Sequence, residues 1–183
     1  MNIIYKEIEF DYGHRVALHE TFDGKPGKCS SCHGHRGKVI AYLSGKLFES
    51  GPQTQMIFDY GFLKNLLVEN IDAHCDHAMI LSFKDEKFMG MAYSDRLTKE
   101  IYIDWHNNIK KSIKIDSFWF GQTNFGKTYI IADYPTAESL AKHFFEILRP
   151  KILVATNNQA RLDSIVFKET PTSGAEYKGN YVD

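Results

Sequence analysis

The sequence predicts an α+β domain built on an antiparallel sheet, and three observations carry that prediction. Residues 3–14 and 33–43 alternate apolar and polar side chains with the period of a half-buried strand. Two later segments, following Asp59 and Pro135, space their apolar residues as an amphipathic helix does. A further strand-like run over 163–169 follows the second helix, so the order is β-β-α-(β)-α-β rather than the regular βαβ alternation of a parallel sheet. With 183 residues, 43% hydrophobic and 14% aromatic, the chain suits a single domain spanning 1–183 with its own core.

Taken in order, the first strand sets Ile4, Ile8, Phe10, Tyr12 and His14 on one face and Glu7, Glu9 and Asp11 on the other. A loop of Gly, Lys and Pro at 23–28 leads to the second strand, where His33, His35, Val39, Ala41 and Leu43 share a face and Ser44-Gly45 ends the run. Asp59 is an N-cap for a helix that buries Phe62, Leu63, Leu66, Leu67 and Ile71. The second helix starts near Pro135-Thr136, buries Leu140, Ala141, Phe144, Ile147 and Leu148, and is expected to stop at Pro150. Between the helices EKFMGMAY, EIYIDW and KTYIIAD read as strands, and most of this stretch, about 82–128, reads as an insertion. The final PTSGAEYKG reads as turn and tail.

Bulk charge excludes little but points away from some partners. Twenty-two basic and 23 acidic side chains leave a net charge of -1 with no long block of one sign, so no nucleic-acid or membrane surface is expected. The N-terminal stretch carries Lys6, Glu7, Glu9 and Asp11 where a signal peptide would be apolar, and a cytoplasmic protein is expected. Three cysteines, Cys29, Cys32 and Cys75, are then expected to serve catalysis or metal binding rather than a disulfide.

The segment KCSSCHGHRG at 28–37 has three readings: a haem attachment C-x-x-C-H, a closed zinc site of Cys29, Cys32, His33 and His35, or a nucleophile followed by a pair of metal ligands. Attached haem fits poorly with a chain that shows no export signal. A closed site would crowd four ligands into seven residues, whereas zinc motifs usually draw on two separated segments. On a strand, His33 and His35 point to the same side, and His14 joins them if the first two strands pair. Three neutral imidazoles with an open fourth position are the pattern of a catalytic zinc, Zn2+. Cys29 is then free for chemistry, and its thiol needs a partner to form the thiolate. The stretch NIDAHCDH at 70–77 offers two Asp/His combinations, Asp72 with His74 and Asp76 with His77, between which spacing does not choose.

With these residues laid out, the sequence resembles the 6-pyruvoyltetrahydropterin synthase family, and within it the bacterial-type 6-carboxytetrahydropterin synthases of 7-deazaguanine (queuosine) biosynthesis. The motifs are FDYGHR at 10–15, CSSCHGH at 29–35, IFDYGFLK at 57–64, DH at 76–77, PTAE at 135–138 and KETPTSGAEY at 168–177, in family order. The resemblance implies that His14, His33 and His35 bind zinc, that Cys29 is the catalytic thiol, and that Asp76 and His77 form the proton relay. It also implies that Glu169 anchors the pterin and belongs to the relay, and that Thr136 contacts the pterin or simply caps its helix. Lys25, Lys28, Arg36 and Lys38 are candidate contacts for a triphosphate. Cys75 and Cys32 depart from the family pattern and are expected to be small apolar fillers.

The fold implied is a T-fold of an antiparallel sheet and two helices per subunit, assembled as a homo-oligomer, a hexamer of two trimers with active sites between subunits. The reaction implied is cleavage of 7,8-dihydroneopterin triphosphate to 6-carboxytetrahydropterin, acetaldehyde and triphosphate. The alternatives are 6-pyruvoyltetrahydropterin synthesis on the same residues and a non-catalytic structural zinc module.

Overall fold

The computed structural model describes residues 2–92, 114–116 and 118–179. Its strands are β1 (Asn2–His14), β2 (His33–Gly45), β3 (Ala78–Ser82), β4 (Phe118–Thr123), β5 (Gly126–Ile131), β6 (Ala160–Thr170) and β7 (Ser173–Lys178). Its helices are α1 (Tyr60–Leu67), α2 (Ala73–Cys75), α3 (Glu86–Ala92) and α4 (Ala137–Ala155), with a π-turn at Val68–Asp72 joining the first two. No described helix is long and apolar enough to cross a membrane.

All seven strands lie in one sheet, in the order β4-β5-β3-β1-β2-β6-β7. The pairings β1–β2, β2–β6, β6–β7 and β4–β5 are antiparallel, as expected from the alternating segments. The sheet is nevertheless mixed, because β3 runs parallel to both β1 and β5. The reason is the crossover: α1 and α2 carry the chain from β2 over the sheet and deliver β3 in the direction of β1, which a tight hairpin cannot do.

The core lies between the inner face of β1, β2 and β6 and the helices α1 and α4. Phe10, Phe144 and Phe167 meet there with ring centroids 5.9–6.3 Å apart. Asp59 caps α1, its carboxylate accepting from the N–H groups of Gly61 and Phe62. Leu63, Leu67 and Ile71 are fully buried at a spacing of four, while Phe62 falls off that stripe and stays 54% exposed, contrary to expectation.

Other departures have local causes. Pro150 does not stop α4, which runs on to Ala155. Pro150 sits on the exposed face, and burial of Ile152 two residues on, on the opposite side, keeps the helix against the core. Its end is closed by Thr156, whose hydroxyl donates to the Ile152 carbonyl and accepts from the Ala160 N–H. EKFMGMA is α3 rather than a strand: Phe88, Met89 and Ala92 are buried together, and Asp85 accepts from the Phe88 N–H at the start. EIYIDW lies outside the described residues. The expected C-terminal tail is β7, whose inward Tyr177 packs on Phe145 at 5.2 Å.

Candidate metal centre and active site

The β1–β2 register opposes His14 to His33 and Tyr12 to His35 at the end of the pair where the intervening loop leaves the sheet. The three imidazoles gather there, with ring centroids 4.5, 4.9 and 5.2 Å apart. Glu169, near the end of β6, joins them: one nitrogen from each ring and one carboxylate oxygen all lie within 4.8 Å of one another. Glu169 Oε1 is 3.2 Å from His14 Nε2 and 3.6 Å from His35 Nε2.

Hydrogen bonding on the far side of two rings fixes what they present to the centre. His14 Nδ1 lies 2.7 Å from the Pro135 carbonyl and His33 Nδ1 lies 2.8 Å from the Ser31 carbonyl. A carbonyl only accepts, so each Nδ1 carries a hydrogen and each neutral ring offers a bare lone pair at Nε2. Those two Nε2 atoms are 3.1 Å apart. Two lone pairs facing at that distance repel, and a cation shared between them removes the conflict. The separation is close to that of two nitrogen ligands around one tetrahedral zinc, about 3.3 Å for bonds of about 2.05 Å. His35 Nε2 is buried without a hydrogen-bond partner, which also suits a metal ligand. Burial pushes the His14 imidazole down to about 4, with the other two rings working the same way and the Pro135 carbonyl opposing, so it is neutral near pH 7 as a ligand must be.

The residues around this centre divide between separate clefts. Cys29, Thr136 and Glu169 line a cleft of about 350 Å³ with His19, Glu138 and Ser173. Cys29 stands in a 3-10 turn, Lys28–Ser30, tied to the segment just after β1 by the Val16 N–H donating to the Cys29 carbonyl. Thr136 caps α4 in a reciprocal capping box with Ser139. His77 lies in another cleft, lined also by His33, His35, Tyr12 and Arg36. Its Nδ1 is 2.8 Å from Asp76 Oδ2, while Asp76 Oδ1 accepts from the Asp11 N–H. His77 adopts a left-handed backbone, φ 56°, held by its N–H donating to the Asp11 carbonyl at 2.6 Å. Cys29 and His77 thus line different clefts, with Glu169 beside the first and His33 and His35 beside the second.

Neither Cys29 nor Cys32 belongs to the gathered metal-capable groups among the described residues. Cys75 is fully buried, as a filler should be, whereas Cys32 is exposed and fills nothing. It lies at the loop mouth just before β2, so its side chain has no core to enter. Of the candidate triphosphate contacts, Lys25 pairs with Asp23, Arg36 with Asp11, and Lys38 with Glu7 and Glu9. Lys28 is exposed. Sequence spacing gave no sign of His19, whose ring packs against the bare Cα of Gly27, nor of the Pro135 and Ser31 carbonyls that orient the ligands. Main-chain acceptors leave no residue-type signature, so only the fold reveals them.

The sequence profile of the 6-pyruvoyl tetrahydropterin synthase family matches residues 3–180. A Haemophilus influenzae protein is 29% identical over 175 residues, covering 96% of this chain and 97% of its own. A Rickettsia conorii protein is 30% identical over 172 residues, covering 93% and 96%. Both carry the name 6-carboxy-5,6,7,8-tetrahydropterin synthase. A Wolinella succinogenes structure, described only as an uncharacterized protein, superposes with a TM-score of 0.72 at 26% identity over 98% of each chain. The Plasmodium vivax 6-pyruvoyl tetrahydropterin synthase shares the fold, with a TM-score of 0.56 at 14% identity over 99% of this chain and 100% of that one.

Proposed function

The chain belongs to the 6-pyruvoyl tetrahydropterin synthase family, and from that premise we propose that it is a zinc-dependent 6-carboxy-5,6,7,8-tetrahydropterin synthase. Its substrate is 7,8-dihydroneopterin triphosphate, and its products are 6-carboxytetrahydropterin, acetaldehyde and triphosphate. The observation that carries the reading is the pair of Nε2 lone pairs of His14 and His33 at 3.1 Å, with His35 and Glu169 alongside.

His14, His33 and His35 hold the metal, and Glu169 is close enough to lend it a carboxylate oxygen or to turn toward a ligand. When bound, zinc supplies Lewis acidity that polarises hydroxyl and carbonyl oxygens of the substrate side chain. The remaining chemistry belongs to the chain. Glu169 offers two acceptor oxygens, which suit the adjacent N–H donors of a pterin ring. Cys29, in the same cleft, takes a proton from the substrate side-chain carbon. His77 exchanges the second proton, with Asp76 holding its Nδ1–H and so fixing the ring's orientation. Thr136 stands at the rim of the Cys29 cleft, within reach of bound substrate.

The protein works as a homo-oligomer, a hexamer of two trimers with active sites between subunits, and the placement of Cys29 and His77 in different clefts of one chain supports that reading. Among the described residues no strand pairs with the outer edge of β7, which makes it a template for pairing between copies. Segment 82–128 is an insertion into this single domain, the protein is cytoplasmic, and the product feeds 7-deazaguanine biosynthesis.

The test is incubation of the zinc-loaded protein with 7,8-dihydroneopterin triphosphate and identification of the products by mass. Acetaldehyde with 6-carboxytetrahydropterin is expected. A pyruvoyl product retaining all side-chain carbons would assign the sister activity instead, and no turnover would return the protein to a structural zinc module.

A further inference from the structure

The turn that carries Asp76 and His77 is clamped from two sides. From β1, Asp11 engages it twice through its main chain, accepting from the His77 N–H and donating to the Asp76 carboxylate. From the other side comes Lys127, the second residue of β5, whose Nζ donates to the main-chain carbonyl of Asp76 at 2.6 Å. Its ammonium also lies 5.8 Å from the centre of the Phe120 ring, and Phe120 packs in turn on His74 at 5.0 Å. The hairpin β4–β5 thus brings a cation, over an aromatic ring, to the end of α2 where the chain turns left-handed.

We propose that Lys127 is a positioning residue for the Asp76–His77 pair: its ammonium holds the Asp76 carbonyl, fixes the turn, and so aims the His77 imidazole. This rests on the synthase reading, and it gives the β4–β5 end of the inserted segment a part in the reaction. The geometry is economical: a carbonyl at a helix C-terminal end has no intrahelical partner, and a cation is the donor such an end favours. With a residue of positive φ following directly, loss of that bond frees the turn where the relay needs it rigid.

The electrostatics agree. Burial acts to raise the Asp76 carboxyl, but its hydrogen bond with His77, the Asp11 N–H, and the charges of His77 and Lys127 outweigh it and bring the group below its ordinary value. Among the described residues, the other ionisable groups facing the pair are Asp11 from β1, Arg36 from β2 and Asp72 at the helix end, with Tyr12, Cys32, His33 and His35 across the His77 cleft. Arg36 is occupied by Asp11, which leaves Lys127 as the cation bonded directly to the turn.

The test compares Lys127→Met, which keeps the stem and removes the donor, with Lys127→Arg, which restores one. In zinc-loaded protein turning over 7,8-dihydroneopterin triphosphate, the Met variant is expected to lose about tenfold or more in kcat with KM within about twofold, and the Arg variant to recover most of it. Independently of turnover, carbon NMR of the Asp76 carboxyl is expected to show its titration midpoint rise in Lys127→Met. A Met variant with wild-type kcat and an unmoved carboxyl midpoint would overturn the proposal. So would equal losses in both variants matched by equal losses of thermal stability, which would mark a merely structural lysine. Wild-type protein without turnover would refute the synthase reading alone, and the carboxyl titration would still decide the role of Lys127.

Discussion

Acidification should destabilise this fold through one residue outside the site, His143. It sits on the inner face of α4, 1% exposed, with Nε2 accepting from the Tyr129 hydroxyl at 2.8 Å and Nδ1 donating to the Ile115 carbonyl at 2.6 Å. The neutral ring satisfies both partners, and burial pushes its pKa from 6.5 down to about 4, with the Ile115 carbonyl, Asp116 and Asp133 opposing. The unfolded chain therefore binds a proton between pH 6.5 and 4 that the folded chain refuses. This contribution is fully present above the unfolded value and is lost as pH falls through that window. A shift of this size corresponds to about 3 kcal/mol by pH 4, and to about 2 kcal/mol between pH 7 and pH 5. The assay is urea unfolding of wild type and His143→Gln at pH 7 and pH 5, at one protein concentration because assembly contributes to stability. Carboxylates and His14 titrate in both proteins and cancel in the comparison. Wild type should lose about 2 kcal/mol more than the variant on going to pH 5; parallel losses would refute the argument that this buried imidazole stays neutral.

Gly37→Ala should cost about 1–3 kcal/mol by overpacking, because a Cβ there would lie 2.9 Å from the Tyr12 ring and 3.0 Å from the Phe167 ring. Thermal denaturation checks it, and an unchanged melting midpoint would mean that the rings yield freely. Asp76→Asn should lower kcat by about a hundredfold or more while leaving bound zinc unchanged, since Asp76 orients His77 and touches none of the gathered imidazoles; steady-state kinetics with metal analysis separates the two effects.

The parts of the fold legible in the sequence were those with a clean period and a local signal. Alternation defined β1 and β2, and Asp59 and Thr136 marked helix starts through the caps they form. Pairing of β1 with β2 then brings His14 opposite His33. What sequence did not yield depends on distant partners. β3 is a five-residue apolar strand buried between two parallel neighbours, without the alternation that would reveal it. The helical character of α3 comes from Phe88 and Met89 packing together in a small core with Leu81 and Ile130, where F-M-G-M-A alone imitates a strand. Pro150 misled because a rule for helix interiors was applied to an exposed face. In the site, the convergence of Glu169 on the histidines follows from the β2–β6 pairing, which carries it from a distant stretch of chain.

On the proposed reading the three imidazoles hold the metal, no cysteine joins the gathered groups among the described residues, and the Cys29 thiol is left free to react. Metal analysis and turnover of Cys29→Ala test it directly. One zinc per chain, as in wild type, is expected with turnover abolished; zinc lost along with the thiol would show that the sulfur is a ligand and overturn the assignment.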